Sequence, residues 1–268
     1  MPAQTPDPSR KHPMRTSKQD VRAARLIPDT PQTRAPTYRL AFADPEFLTR
    51  EELRPIRLQL ELLKPEMALD AEGIESTIVL FGGARIREGQ GALGPYYAEA
   101  RRFAQIVTTR SMATGGTHEV IVTGGGPGVM EAGNRGAVDA GGRSIGLNIV
   151  LPHEQAPNGY VTPELCFNFH YFAIRKMHFL MRARAVCVFP GGFGTLDEMF
   201  ESLTLIQTRR MAPIPFLLFG RAFWEDVINW QALADAGVIS PDDLKLFTFV
   251  ETAEEALAAI DGWNNAGL

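Results

Sequence analysis

"AVCVFPGGFGTLDEMFESLTLIQT", residues 185–208, decides the fold. Its first five residues are apolar, and three of them, Val186, Val188 and Phe189, are β-branched or aromatic. That is a run suited to a strand buried on both faces. Pro190 closes it, Gly191, Gly192 and Gly194 form a turn, and the remainder reads as a helix. Strand, glycine turn and helix in that order form the leading part of a βαβ unit.

The same grammar extends in both directions. "STIVLFGGAR" (76–85) is a strand ending in glycines, and "YYAEARRFAQIVTT" (96–109) is a helix. "EVIVTGGGPGVMEAGNRGAVDAG" (119–141) repeats strand, turn and helix. "RSIGLNIVLP" (143–152) and "CFNFH" (166–170) are strands, and "YFAIRKMHFLMRA" (171–183) is a helix. "IPFLLFG", "WEDVINWQALADAG", "LFTFVE" and "AEEALAAI" continue the alternation to residue 260. Such alternation predicts an α/β fold, a doubly wound parallel sheet with helices on both faces. Ligands of these sheets bind beyond the carboxyl ends of the strands. The turns at 81–85, 123–128 and 190–195 fall there.

A helix N-terminus offers unpaired N–H groups and a positive potential, and glycine lets an anion approach closely. One such turn is explained by tightness alone; three at equivalent strand ends favour a phosphate. Gly83, Gly124, Gly125, Gly126, Gly191, Gly192 and Gly194 are the candidate backbone contacts. A dinucleotide fingerprint is not met, because its third glycine position is Val129 and the next strand ends without an acid. The lysine of a P-loop is missing from the glycine turns that lead into helices. A nucleoside monophosphate or another small phosphate ester remains.

Thr195 and Glu198 have capping-box spacing, which predicts that Thr195 caps the helix and Glu198 reaches back to the backbone. The other reading turns Glu198 toward a sugar, since Asp197, Glu198 and Glu201 would otherwise repel a phosphate. In "FHYFAIRKMHFLMRAR" (169–184) a helix puts Arg175 among Tyr171, Phe172, His178 and Phe179, either reaching for water or held to pair with an anion. His170 and His178 lack partners at metal-ligand spacing, and "HEQ" (153–155) lacks the second histidine of a zinc motif, so no metal is expected.

A net charge of −4 gives no reason to expect nucleic acid or an anionic membrane as partner. Cys166 and Cys187 sit in apolar runs and read as free thiols in a reducing compartment, hence a cytoplasmic location. No apolar run approaches the roughly 20 residues of a membrane span. Residues 1–38, rich in proline and basic, predict a mobile tail. Residues 39–268 predict a single domain that opens with a helical segment at 45–69. There Pro55 starts or kinks a helix, and the stripe Ile56, Leu58, Leu60, Leu62 and Leu63 predicts packing on the body or on a second subunit.

"PGGFGTLDE" (190–198), "TGGGPGVMEAGNRGA" (123–137) and "RK" (175–176), fifteen residues before Pro190, together resemble the LOG family. These are cytokinin riboside 5'-monophosphate phosphoribohydrolases and related nucleoside 5'-monophosphate nucleosidases, many long mislabelled as lysine decarboxylases. The resemblance runs from about 76 to 250 and points to the longer bacterial type. It implies a modified Rossmann-like fold with an N-terminal extension, a homodimer or higher homo-oligomer, and hydrolysis of a nucleotide to free base and ribose 5-phosphate without a cofactor. It places the catalytic pair on Arg175 and Glu198, the substrate-binding dipeptide on Arg175 and Lys176, and the phosphate loop on Gly191–Thr195. Further ligand contacts fall on Thr204 and on Glu154. Shorter plant-type members carry an arginine where this chain has Met181, with Arg182 beside it. A non-hydrolytic carrier of a phosphorylated, pterin-type ligand is the alternative.

Overall fold

The computed structural model describes residues 14–151 and 156–263. Seven strands form one sheet: β1 (Thr77–Phe81), β2 (Val120–Thr123), β3 (Ser144–Ile149), β4 (Cys166–Phe169), β5 (Ala183–Val188), β6 (Phe216–Phe219) and β7 (Thr248–Val250). Their order is β4-β3-β2-β1-β5-β6-β7, and every pairing is parallel. The chain winds outward from β1 through β4, returns to place β5 against the free side of β1, and winds outward again. The carboxyl ends of β1 and β5 therefore flank the switch point, where such sheets hold ligands.

The helices are α1 (Ser17–Ala24), α2 (Pro31–Arg34), α3 (Pro45–Leu48), α4 (Arg54–Ala71), α5 (Gly94–Ala113), α6 (Val129–Asp139), α7 (Phe172–Met181), α8 (Phe193–Gln207), α9 (Arg221–Val227), α10 (Trp230–Asp235) and α11 (Ala253–Asp261). The period of two in the strands sorts the core onto both faces. Ile78, Leu80, Ala185 and Cys187 pack with Phe103 of α5, Ala132 of α6 and Ala256 of α11. Val79, Phe81, Val186 and Val188 pack on the other side with Phe179 of α7, Met199 and Leu203 of α8, and Trp224 of α9. Both cysteines are free thiols, as expected.

The compact units divide inside α4, between Gln59 and Leu60, rather than at 38/39. Within the expected tail, α1 and α2 form because Thr16 and Thr30 build capping boxes that satisfy first-turn N–H groups locally; neither helix buries a residue. The expected helical segment is α3, a 3₁₀ turn at Glu51–Leu53, and α4. Pro55 sits in the first turn of α4, where its missing N–H costs nothing, and Pro65 lies buried inside the helix.

The approach of α5 to α6 depends on Gly136, where a Cβ would collide with the Arg101 carbonyl and come within 2.9 Å of the Ala104 Cβ. Gly136→Ala is expected to destabilise the protein by about 1–3 kcal/mol, read as a lower urea midpoint with an unchanged slope. Gly192→Ala, whose Cβ meets nothing within 4 Å, is expected to stay within about 0.5 kcal/mol of the parent.

Candidate functional site

At the switch point β1 runs into the turn at 82–85 and β5 into the turn at 190–192. The two turns are stitched together: Phe189 N–H donates to the Phe81 carbonyl at 2.8 Å, and Gly83 N–H to the Pro190 carbonyl at 2.9 Å. A Cβ on Gly83 would stand 3.1 Å from that same carbonyl, a tight contact with the neighbouring turn. Between the turns opens a cavity of about 750 Å³. Gly83, Ala84 and Arg85 line it past the end of β1, and Gly192, Phe193, Gly194 and Thr195 line it at the start of α8. Arg175 and Glu198 line it, and Met130, Ile149, Leu151 and Phe172 supply its apolar part.

Helix α8 starts at Phe193 with Gly192 as N-cap and no side-chain cap. The expected capping box is not formed. Thr195 is the third residue of the helix rather than its cap, and it is buried against Gly191, whose Cβ would collide with the Thr195 Oγ1. The first-turn N–H groups are left without a side-chain acceptor and border the cavity. Phe193, at the first helical position, is 92% exposed.

Glu198, released from capping, accepts from Arg175 Nη1 at 3.0 Å. The pair is sequestered, with side chains 8% and 14% exposed. Arg175 is pinned further by donation from Nε to the Leu147 carbonyl at 2.7 Å and by the Phe179 ring 4.9 Å below its guanidinium. Lys176 does not line the cavity. It pairs with Asp197 at 3.2 Å and with Glu201. Each member of the Arg–Lys dipeptide thus neutralises acids of α8, which resolves the expected repulsion between three carboxylates and a phosphate.

The second glycine turn has a different task from the one expected. Gly124, Gly125 and Gly126 do not line the cavity. A Cβ on Gly124 would lie 2.6 Å from Arg175 Nη2, one on Gly125 would strike the Asn148 amide, and one on Gly126 would lie 2.9 Å from Met130 Cε. These glycines make room for side chains, the catalytic arginine candidate among them. Thr204 lies outside the cavity too, its hydroxyl donating to the Phe200 carbonyl at 2.7 Å, beside a small separate pocket with Trp230. Arg182 does not replace the arginine missing at Met181: it pairs with Glu66 and Asp70 and donates to the Ile74 carbonyl. Glu154 lies outside the described residues.

Helix α7 is positioned by α4. The Glu61 carboxylate accepts from the backbone N–H groups of His170 at 2.7 Å and Tyr171 at 3.0 Å, capping the entry to α7 from a distance. His178, fully covered, sits between the Glu61 carbonyl at 3.1 Å and the Glu66 carboxylate at 3.3 Å. Nothing in the local pattern marks Glu61, because its partners are backbone groups more than a hundred residues away. Arg85, Met130, Phe172 and Phe193 were legible only by position, each sitting just past a strand end or in the first turn of a helix.

Burial pushes the Glu198 carboxyl up to about 7, against the opposing pull of the Arg175 charge. The same burial lowers Arg175, with Glu198 acting against it. A guanidinium stays protonated under such pressure, so the proton that moves near neutrality is on Glu198.

A protein-family model described as "Possible lysine decarboxylase" matches residues 130–260. A rice protein (Oryza sativa subsp. japonica) called "Probable cytokinin riboside 5'-monophosphate phosphoribohydrolase LOGL5" is 25% identical over 146 residues, 53% of this chain. The match spans 58% of the rice protein's length. The X-ray structure of TM1055 superposes with a TM-score of 0.50 at 20% identity, covering 70% of this chain and 99% of that one, and shows the fold. A molybdenum cofactor binding protein from Rippkaea orientalis reaches 0.49 at 19% identity, over 70% of this chain and 96% of its own. That is a likeness of outline which says nothing about the ligand of this chain.

A carboxyl whose folded pKa is raised binds a proton more tightly in the native state than in the unfolded chain. Its contribution to stability is present below the ordinary glutamate value and is lost as pH rises through about 7. The stability of the parent minus that of Glu198→Gln is therefore expected to fall between about pH 4.5 and pH 7 and then level off. Denaturant titrations of both proteins across that window measure it.

Proposed function

Taking the chain as a LOG-family protein, as the family match and the rice relative support, we propose that it hydrolyses the N-glycosidic bond of a nucleoside 5'-monophosphate, AMP or an N6-modified AMP, to free base and ribose 5-phosphate. The observation that carries this reading is Glu198. It is a sequestered carboxyl, held through one oxygen by Arg175, lining a cavity that also contains an uncapped helix N-terminus. In such a site the amides at 193–195 take the phosphate, Glu198 faces the pentose, and the apolar wall of Met130, Ile149, Leu151 and Phe172 takes the base.

Breaking the bond builds positive charge on the anomeric carbon. The ionised Glu198 carboxylate stabilises that charge or accepts a proton from the attacking water. The bond to the base nitrogen breaks, the water oxygen joins the anomeric carbon, and the proton that Glu198 takes from the water passes to the base, which leaves neutral as the carboxylate is restored. A carboxyl titrating at about 7 is matched to proton transfer near neutral pH. Arg175 fixes the rotamer of Glu198, so the carboxylate is preorganised before substrate arrives. The phosphate anchor does not change during the reaction, and its binding energy serves to place the sugar.

The reading includes a cytoplasmic homodimer or higher assembly. Its support is that no described helix is long and apolar enough to cross a membrane, and that Leu60, Leu63 and Met67 of α4 are exposed. The carrier alternative, in which a phosphorylated pterin-type ligand is held intact, leaves the raised carboxyl without a task.

Incubation of purified protein with AMP is expected to release adenine and ribose 5-phosphate, resolved by chromatography. Glu198→Ala is expected to lose about 10²–10⁴-fold in rate. Because the ionised carboxylate is the active form, kcat/KM rises with pH and reaches a plateau above about 7. No adenine from the parent, together with an intact pterin retained on purification, would favour the carrier.

A further inference from the structure

The cations that line the cavity among the described residues are Arg85 and Arg175. Arg175 is committed: Nη1 to Glu198, Nε to the Leu147 carbonyl, and Nη2 lying over Gly124. Lys176 is committed to Asp197 and Glu201 away from the cavity. Arg85 is exposed and has no hydrogen-bond or ion-pair partner among the described residues.

Its placement is not accidental to the turn. Gly83, two residues earlier, is bonded through its N–H to Pro190 and through its carbonyl to Val129 N–H at 3.3 Å. Gly128 has φ +74° and no Cβ to strike the Gly83 carbonyl. Ile86, one residue later, is buried in the core. The backbone on both sides of Arg85 is therefore fixed, and the residue lines the same cavity as the first turn of α8.

The charge balance then calls for it. A phosphomonoester carries about −1.5 to −2 near neutral pH, and a helix N-terminus offers only about +0.5. The Arg175–Glu198 pair, with the carboxylate ionised, adds nothing net. A guanidinium lining the same cavity supplies the missing charge and two donors in the fork that fits phosphate oxygens.

We propose that Arg85 is a substrate-binding residue that pairs with the 5'-phosphate held at the first turn of α8. This deepens the hydrolase reading and rests on it for the identity of the ligand. It is separable by binding, which needs no turnover.

The test is equilibrium binding of AMP and of adenosine to the full chain and to Arg85→Ala and Arg85→Lys, by calorimetry at low and high salt. A surface arginine with no partner leaves stability unaltered when replaced, and thermal unfolding of each variant checks this. Arg85→Ala is expected to weaken AMP binding by about 10-fold or more, to leave adenosine unchanged, and to flatten the salt dependence of AMP affinity. Arg85→Lys is expected to recover part of the loss. An equal loss for AMP and adenosine, or no loss for either, overturns the proposal; so does a parent protein that shows no preference for AMP. AMP bound tightly through Arg85 but never cleaved leaves the proposal standing and removes the hydrolase reading.

Discussion

The ion pair between Arg175 and Glu198 is the constraint on which the site depends. Both groups are largely out of water, and truncating one would strand the other as an uncompensated buried charge. Holding the pair requires several separate provisions. Gly124 must lack a side chain so that the guanidinium can lie over it. Leu147, at the end of β3, must present its carbonyl to Nε. The helix that carries Arg175 must enter at the right height, which Glu61 secures by taking two backbone N–H groups ahead of it. The sheet order supplies the rest: α7 precedes β5 and α8 follows it, so the two partners meet across one strand.

That arrangement also explains how a helix can present a positive end and an acidic second turn together. Left alone, Asp197, Glu198 and Glu201 would cancel the potential that the first-turn amides offer an anion. Arg175 and Lys176 draw all three sideways. The carboxylates are neutralised by these cations while Glu198 stays at the edge of the cavity with one oxygen, Oε2, lacking a hydrogen bond among the described residues. The raised proton affinity of Glu198 follows from the same burial that makes the pair rigid. Stability and reactivity are thus coupled at one residue: the form that costs the native state most is the form a glycosidic hydrolysis would use.

The strands were legible because period and length speak locally. Seven short β-branched or aromatic runs became seven parallel strands, and the switch point followed from their alternation with helices. What local pattern misread was competition. Thr195 and Glu198 have capping-box spacing, yet a partner 23 positions earlier in the chain offers the carboxylate a charged donor, and that outcompetes its own backbone. The glycines at 124–126 share the composition of a phosphate turn, but their neighbours are Arg175, Asn148 and Met130, which no local window contains. Lys176, expected to contact the substrate, pairs instead with Asp197 and Glu201 of its own chain. Thr204 falls three turns along α8 from the cavity, where helical rise alone carries it away from the first turn.

The three glycines of the 190–194 turn separate a packing requirement from a binding one. Gly191 is explained by Thr195, which occupies the space a Cβ would need. Gly192 and Gly194 are not explained this way. Neither has a positive φ, and a Cβ on either would meet nothing within 4 Å. Gly194 stands inside the first turn of a helix, where glycine costs about 1 kcal/mol relative to alanine. The surrounding structure gives no packing reason for either glycine, and both line the cavity that Glu198 borders.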